Sequence, residues 1–411
     1  MGRTLVKRAY KYRFYPTEQQ QQELLRTFGC VRLVYNKALQ ARTEAWYSEQ
    51  RRVNYVETSA LLTEWKKTDE LAFLSEVSSV PLQQCLRHLQ AAFVNFFDKR
   101  ARYPRFKSRK KSRASAEYTR SAFRWRDGHL MLAKMTEPLA IVWSRPLPEG
   151  AEPSTVTVSR DTAGRWFVSI LVQTGVDHHA TTDTAVGVDT GITSLLTLSR
   201  PIDGLTDSQG KITNPKHEQR ERARLARAQR RLAKKTAGSA NRGKARRKVA
   251  RIHARITDRR RDHLHKLTTR LVRENQTIVI EDLNVSGMLR KHSLARAISD
   301  ASWSELRSML EYKAEWYGRT VIAIDQWFPS SKTCSDCGLL LDSLPLGVRE
   351  WTCPGCGAVH DRDVNATRTI LAAGLAVAAC GGGVRPTRQQ SVRRSPVKQE
   401  TQPARVGIPR F

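Results

Sequence analysis

The chain of 411 residues carries 71 Lys plus Arg against 39 Asp plus Glu, a net charge of +32 and a pI near 10.4. With 40% hydrophobic residues it can build cores for two or three domains, and so large a positive excess requires a polyanion, nucleic acid before any membrane surface. The longest apolar stretch, residues 371–380, falls well short of the roughly 20 residues of a membrane helix, and no apolar segment follows the basic N-terminus as a secretory signal requires. The expectation is a cytoplasmic, nucleoid-associated prokaryotic protein.

Residues 4–15 (TLVKRAYKYRFY) interleave basic and aromatic side chains and read as a strand ended by Pro16. Thr17 with Gln20 gives a capping-box helix start. Helices run on to about residue 99, marked by apolar spacing at Leu82, Cys85, Leu86, Leu89, Phe93 and Phe96/Phe97. A run dense in Lys and Arg follows at 99–113. Strands then return: 123–125 and 130–132 flank Asp127-Gly128, and 155–159 and 166–172 flank 161–164, both hairpin signals. A β-barrel divided in sequence, with a helical insertion, accounts for residues 1–180.

After a polar hinge at 181–183, residues 186–189 form a short apolar strand and 194–199 (SLLTLS) its hairpin partner. From 216 to 261, nineteen of 46 positions are Lys or Arg against three acidic ones, and the glycines at 238 and 243 divide this run into two helices. The second has an apolar stripe at Val249, Ile252, Ile256, Leu264, Leu267 and Leu271, so its other face is strongly basic. A strand at 277–280, a helix at about 300–318, a strand at 321–326, two cysteine pairs and a helix from 361 to about 379 complete the pattern. The tail, 381–411, is rich in Pro, Arg, Gln and Ser and is expected to be disordered.

Three carboxylates stand where strands end or a helix opens: Asp189 after AVGV, Glu281 after TIVI, and Asp363 at the last helix. Taken singly, each is an ordinary Asx-turn or cap. Gathered at one sheet edge they would repel one another unless cations lay between them. Two Mg²⁺ ions, clamping the attacking and leaving oxygens of a phosphodiester, are the remedy the chemistry offers. Asp282 is expected to point to the other sheet face, Asp361 to cap the final helix and Asp300 to cap the 300–318 helix; Asp325 is the remaining competitor.

Seven cysteines stand at 30, 85, 334, 337, 353, 356 and 380. Cys334 and Cys337, with Cys353 and Cys356, have the spacing of a two-knuckle zinc ribbon in a reducing compartment. Four thiolates close the coordination shell, so this Zn²⁺ is structural. Cys30, Cys85 and Cys380 read as small buried hydrophobes, and His360 as a packing neighbour of the ribbon, not a ligand.

These segments resemble the TnpB family of insertion-sequence-encoded, RNA-guided DNA endonucleases, relatives of the type V CRISPR effectors. The resemblance is carried by GVDTGI (187–192), IVIEDLNVSGM (278–288), SDASWSELRSMLEYKAEWYGR (299–319), FPSSKTCSDCG (328–338) and WTCPGCGAVHDRDVNAT (351–367), with YRFYPTEQQQQELLRTFGCVRLVYNKAL and YPRFK nearer the N-terminus. It implies an α+β multidomain protein: a split β-barrel wedge domain (1–16 and 111–180), a helical recognition domain (17–110), an RNase H-like/RuvC nuclease domain (181–328 and 358–380) and a zinc-ribbon insertion (329–357). It further implies a guide RNA from the transposon end, cleavage of double-stranded DNA beside a transposon-adjacent motif, and one protein per RNA. The family's catalytic triad falls on Asp189, Glu281 and Asp363, and its zinc ligands on Cys334, Cys337, Cys353 and Cys356.

The basic segments are expected to hold phosphates of the guide and its heteroduplex, through Arg105 and Lys107 in the first run and Arg246, Arg247 and Lys248 in the long helix. Tyr55 and Gln83 are candidate readers of the flanking motif. Tyr10, Tyr12, Phe14 and Tyr15 are candidates to stack on bases, with half of them turned into the core by strand alternation. An Asp-Asp-Glu transposase is disfavoured because the glutamate sits on the middle strand. A catalytically silent RNA-guided regulator is disfavoured by the intact triad.

Overall fold

A computed structural model describes residues 3–110 and 112–379; the tail expected to be disordered and Cys380 lie outside the described residues. β1 (Arg3–Phe14) alternates as its sequence demands. Tyr10, Tyr12 and Phe14 all point into the core, and only Tyr15, 62% exposed, remains open. Three of the four aromatics are therefore structural, more than the half expected, because the inward parity continues to the strand's last residue. α1 (Glu18–Glu49) opens on the Thr17/Gln20 capping box, and α2 (Tyr55–Trp65) on a second one built by Asn54 and Glu57. α3 (Ser79–Phe97) buries Leu82, Cys85, Leu86, Leu89 and Phe93 and leaves Phe97 exposed.

Six strands follow: β2 (Ala114–Thr119), β3 (Phe123–Arg126), β4 (His129–Leu132), β5 (Ile141–Val142), β6 (Pro153–Arg160) and β7 (Trp166–Asp177). β3 and β4 pair through Asp127 and Gly128, both at positive φ, as a tight hairpin turn requires. The other strands form one sheet in the order β2-β6-β7-β1-β5, which leaves β2 and β5 at its edges. One core unites this sheet with the helical insertion: Tyr12, Phe14, Val156, Val158, Val168 and Ile170 meet Leu24, Leu39, Leu82 and Leu86.

The described chain divides into two compact units, Leu5–Gly175 with Ala228–Arg251, and residues 3–4 with Val176–Arg227 and 252–379. The second unit contains β8 (Ala185–Thr190), β9 (Ser194–Leu198) and β10 (Lys211–Thr213), then the basic helices α4 (His217–Ala233) and α5 (Ala240–Glu274), whose outer stretches belong to the first unit. β11 (Thr277–Glu281), α6 (Val285–Met288), α7 (His292–Ala301), α8 (Trp303–Tyr317) and β12 (Thr320–Ile324) follow. β13 (Glu350–Thr352), β14 (Val359–Asp361) and α9 (Arg362–Ala379) close the described chain. The sheet order is β10-β9-β8-β11-β12; β9 runs antiparallel to β8 and β10, while β8, β11 and β12 are parallel. Both parallel steps are crossed by helices, as the geometry of parallel pairing demands.

Strand parity separates the two faces of this sheet. Val186, Val188, Ile278 and Ile280 face Leu264, Leu267 and Leu271 of α5 and Leu306, Met309 and Leu310 of α8. On the other face Val279, Ile322 and Ile324 pack against Ile370 of α9. That contact is unusually close: a Cβ at Gly187 would lie 2.1 Å from the Thr367 carbonyl oxygen, and one at Gly374 would lie 2.3 Å from Val279 Cγ1.

The helix expected at about 300–318 is α8, which starts only after Ser302 (φ 55°); Asp300 belongs to the preceding helix α7. Asp300 accordingly does not cap α8. It sits in the last turn of α7, and its two carboxylate oxygens each accept the Glu218 N–H at 3.0 Å, satisfying an open donor in the first turn of α4. Gly187→Ala is expected to push α9 off the sheet and destabilise this unit by about 1–3 kcal/mol, the scale of an overpacked contact; thermal unfolding of the variant against wild type measures it.

Candidate active site

The parallel register pairs Gly187 with Val279 and Val279 with Ile322, and two residues further along Glu281 pairs with Ile324. Asp189 and Glu281 therefore end adjacent strands at one level, on the face that α9 covers. α9 runs back along this face, so its first turn, holding Asp363, lies at the end of the sheet where the two strand carboxylates stand. Asp189 and Glu281 are half-buried by exposure, yet protein closes round Asp189 enough that burial is the leading influence on it. Its pKa is pushed up to about 7 by burial, then by the negative charges of Glu281 and Asp363; the Thr190 N–H and the Arg362 guanidinium pull the other way. Burial also raises Glu281, against the hydrogen bond that Ser330 Oγ donates to its Oε1 at 2.7 Å. Arg349 Nη1 lies 3.5 Å from Asp363 Oδ1.

The competing acids are otherwise engaged. Asp282 turns to the opposite face and pairs with Arg307 of α8. Asp361 caps α9, its Oδ1 accepting the N–H groups of Asp363 and Val364 at 3.0 Å each, while Lys211 Nζ bonds its Oδ2 at 2.6 Å. Despite partial burial, these donors hold Asp361 below the usual carboxylate range. Asp325 Oδ1 accepts the Trp327 N–H at 2.8 Å and closes the turn after β12.

Cys334, Cys337, Cys353 and Cys356 bring their sulfurs within 4.8 Å of one another, the sole group of His, Cys, Asp or Glu atoms so gathered among the described residues. The carboxylates of Asp189, Glu281 and Asp363 do not form such a group, although the charges of Glu281 and Asp363 both act on Asp189. Tetrahedral zinc with bonds of about 2.3 Å sets sulfurs roughly 3.8 Å apart; Cys334–Cys356 and Cys337–Cys353 stand at 3.7 and 3.6 Å. The thiols fit zinc. His360 packs on Trp351 and brings Nε2 within 3.1 Å of Cys334 Sγ, a contact to a ligand sulfur from outside the set.

This ribbon is fastened to the start of α9. β13 pairs with β14, which runs directly into the helix. The Asn365 side chain accepts the Ser335 N–H at 2.8 Å and donates to the Thr333 carbonyl at 2.7 Å. Buried Arg362 donates to the Pro345 carbonyl at 2.8 Å. Ser330, Arg349, Arg362 and Asn365 are site-building residues that sequence reasoning passed over. Ser330, Arg362 and Asn365 lie inside the segments that carry the family resemblance and Arg349 just outside one; none carries a chemistry that spacing alone reveals.

The nucleic-acid candidates separate into two groups. Arg246, Arg247 and Lys248 are exposed on α5, and Arg105 and Gln83 are exposed as well. Tyr55 is half-buried at the start of α2, under the Arg87 guanidinium at 5.4 Å from its ring. Lys107 does not have the open phosphate-contact geometry expected of it. Its Nζ lies 3.8 Å from the centre of the Tyr35 ring, its backbone exchanges two hydrogen bonds with the Asn36 side chain, and burial lowers its pKa. The residue is a pin between the basic run and α1. Cys30 and Cys85 are buried as expected, and burial pushes the Cys85 thiol up to about 12.

Comparison with known proteins adds three family matches: residues 167–292 to a family described as "Probable transposase", 303–370 to a Cas12f1-like TNB domain, and 1–51 to a helix-turn-helix domain. The last segment folds here as a strand and one long helix. A Streptomyces pristinaespiralis protein named as a candidate RNA-guided DNA endonuclease is 71% identical over 407 residues, 99% of each chain. InsQ of Escherichia coli K12, named likewise, is 34% identical over 95% of this chain and 96% of its own. Among solved structures, a Cas12f1 chain from a complex with guide RNA and target DNA aligns with a TM-score of 0.55 at 13% identity, covering 89% of this chain and 98% of that one. This is a likeness of fold.

Two measurements test the site. An Asp189 pKa of about 7, above its ordinary 3.8, means that the folded protein keeps a proton the unfolded chain has lost. Without divalent metal, stability therefore falls as pH rises from about 4 to about 7. In chelator at pH 8, Asp189→Asn is expected to melt about 2–4 °C above wild type or more, with the gap closing near pH 4; equal melting at both pH values would show the acids are not crowded. Elemental analysis is expected to find one zinc per chain, and Cys353→Ser to lose it and open residues 329–363 to protease.

Proposed function

The chain belongs to the TnpB family, and from that premise we propose that it is an RNA-guided, metal-dependent endonuclease, encoded by a transposable element, that cuts double-stranded DNA beside a short transposon-adjacent motif. The observation that carries the reading is the convergence of Asp189, Glu281 and Asp363 on the sheet face under α9. The order antiparallel, antiparallel, parallel, parallel across β10-β9-β8-β11-β12 supports an RNase H-like, RuvC-type nuclease domain.

Asp189 senses both other carboxylates, which supports Asp189, Glu281 and Asp363 as the residues that would together hold Mg²⁺. When bound, the ions supply a nucleophilic water at neutral pH and charge stabilisation of the leaving oxygen. The chain's own residues do the positioning. Ser330 fixes the Glu281 carboxylate, the Asp361 cap and the ribbon contacts fix the first turn of α9, and Gly187 lets that helix approach. Arg349 balances the Asp363 charge.

The remaining parts take the roles the family membership suggests. The split sheet (1–16 and 111–180) is the wedge, the helices of 17–110 the recognition part, residues 181–328 and 358–380 the nuclease domain, and 329–357 its zinc ribbon. The exposed Arg105, Arg246, Arg247 and Lys248 contact phosphates of guide RNA and heteroduplex, so their loss lowers affinity and its salt dependence together. Base pairing then reads the sequence and the protein reads shape and a short motif. Tyr55 and Gln83, on packed helices, remain the candidates for that motif. One protein is expected per RNA in the prokaryotic cytoplasm. No helix among the described residues is long and apolar enough to cross a membrane.

Asp189→Ala is expected to slow Mg²⁺-dependent cleavage of a matched target by about 1,000-fold or more, some 4 kcal/mol of transition-state stabilisation, while RNA and target binding persist. Retained cutting by the variant, or the absence of a discrete co-purifying RNA from the element's end, would overturn the proposal.

A further inference from the structure

Trp327 is 81% exposed, the highest value among the large apolar side chains of the described residues. An indole left in water is opposed by the hydrophobic effect, and most tryptophans avoid it. Its backbone, however, is anchored. The main-chain N–H of Trp327 donates to Asp325 Oδ1 at 2.8 Å, and the next residue, Phe328, donates its main-chain N–H to the Asp325 carbonyl at 3.1 Å while its ring packs on the α9 side of the sheet. Ser330 N–H then bonds the Phe328 carbonyl at 2.8 Å, and Ser330 is the residue whose hydroxyl holds Glu281. On the other flank, Ile324 is the register partner of Glu281, and its carbonyl accepts the Asp282 N–H at 3.0 Å. Both ends of the turn are thus tied to the strand end that carries a metal-site carboxylate. Three residues of chain separate Trp327 from the partner of Glu281, a reach of at most about 10 Å.

We propose that Trp327 is a stacking platform for a base of the DNA strand being cut, within a few nucleotides of the phosphate at the carboxylates. This inference rests on the nuclease reading and adds a substrate-positioning residue to it. An exposed ring on an anchored turn suits any base, because every base has a π-face, and a guided nuclease must hold strands of any sequence at its metal site. Phosphate contacts alone fix a strand along its charge but leave its rotation free; one stacked base removes that freedom and orients the scissile bond.

The test uses the full protein assembled with its guide RNA. In the Asp189→Ala background, target DNA carrying 5-iodouracil at successive positions near the cut is irradiated, and the crosslinked peptide is sequenced. Trp327 is expected to crosslink to the DNA at one or two adjacent positions. With intact carboxylates, Trp327→Ala is expected to lower the single-turnover cleavage rate roughly 5- to 100-fold, with melting and zinc content unchanged, and Trp327→Phe to recover most of it. Cutting by Trp327→Ala at the wild-type rate, no recovery in Trp327→Phe, or crosslinking of Trp327 to the guide RNA instead of DNA would each overturn the platform. Failure of the wild-type complex to cut at all would sink the nuclease reading instead, and the crosslink would still decide whether a base lies on the ring.

Discussion

Three carboxylates gathered at the end of one sheet repel each other, and the surrounding structure holds them together against that repulsion. Burial raises Asp189 and Glu281, and the charges of Glu281 and Asp363 raise Asp189 further. The protein supplies only partial relief: the Ser330 hydroxyl, the Arg349 and Arg362 guanidinium groups and the positive end of α9. A site so arranged is short of positive charge in a chain with a surplus of it. That local deficit is the ground for the proposal that divalent cations bind there, since basic surface elsewhere does not relieve it.

Holding the acids together depends on how near α9 can come. Gly187 meets the Thr367 carbonyl backbone to backbone, and Gly374 receives the Val279 side chain, so α9 comes closer than two Cβ atoms would allow. The zinc ribbon adds a second restraint. It is inserted between β12 and α9, and both its ends enter the site, one through Ser330 at Glu281 and the other through β14 and the Asp361 cap. The thiolate cluster therefore does more than fold a small insertion. Its second knuckle leads through β14 into the start of the helix that carries the third carboxylate, so in the proposed reading a structural zinc and the carboxylate site are linked through a short stretch of backbone.

The surplus of positive charge is not uniform in its use. Arg246, Arg247 and Lys248 project from a helix whose apolar stripe is satisfied within the protein, an arrangement that leaves them free for phosphate. Lys107, in an equally basic run, is spent on the Tyr35 ring and the Asn36 side chain. Composition cannot separate these cases. A lysine stem is long enough to reach either a ligand or the protein's own surface, and the outcome is decided by which aromatic faces lie within its reach.

Local chemistry was legible in the sequence. A carboxylate after an apolar run, a cysteine pair in a Gly-containing knuckle, a capping box at Thr17 and a turn at Asp127-Gly128 are each written within a few residues, so the strands, the helix starts, the thiol set and the acids could be read directly. Contacts across long separations were not. The shared level of Asp189 and Glu281 depends on a register between strands some ninety residues apart. The turn of Asp300 toward α4, the loss of Lys107 to an internal contact, the inward parity of Tyr10, Tyr12 and Phe14, and the tie between Ser330 and Glu281 all depend on which surfaces meet. Sequence determined what chemistry each segment could offer, because propensity and ligand type are short-range properties. Only tertiary structure decided which groups share a site, because pairing register and helix approach are settled by burial across the whole core.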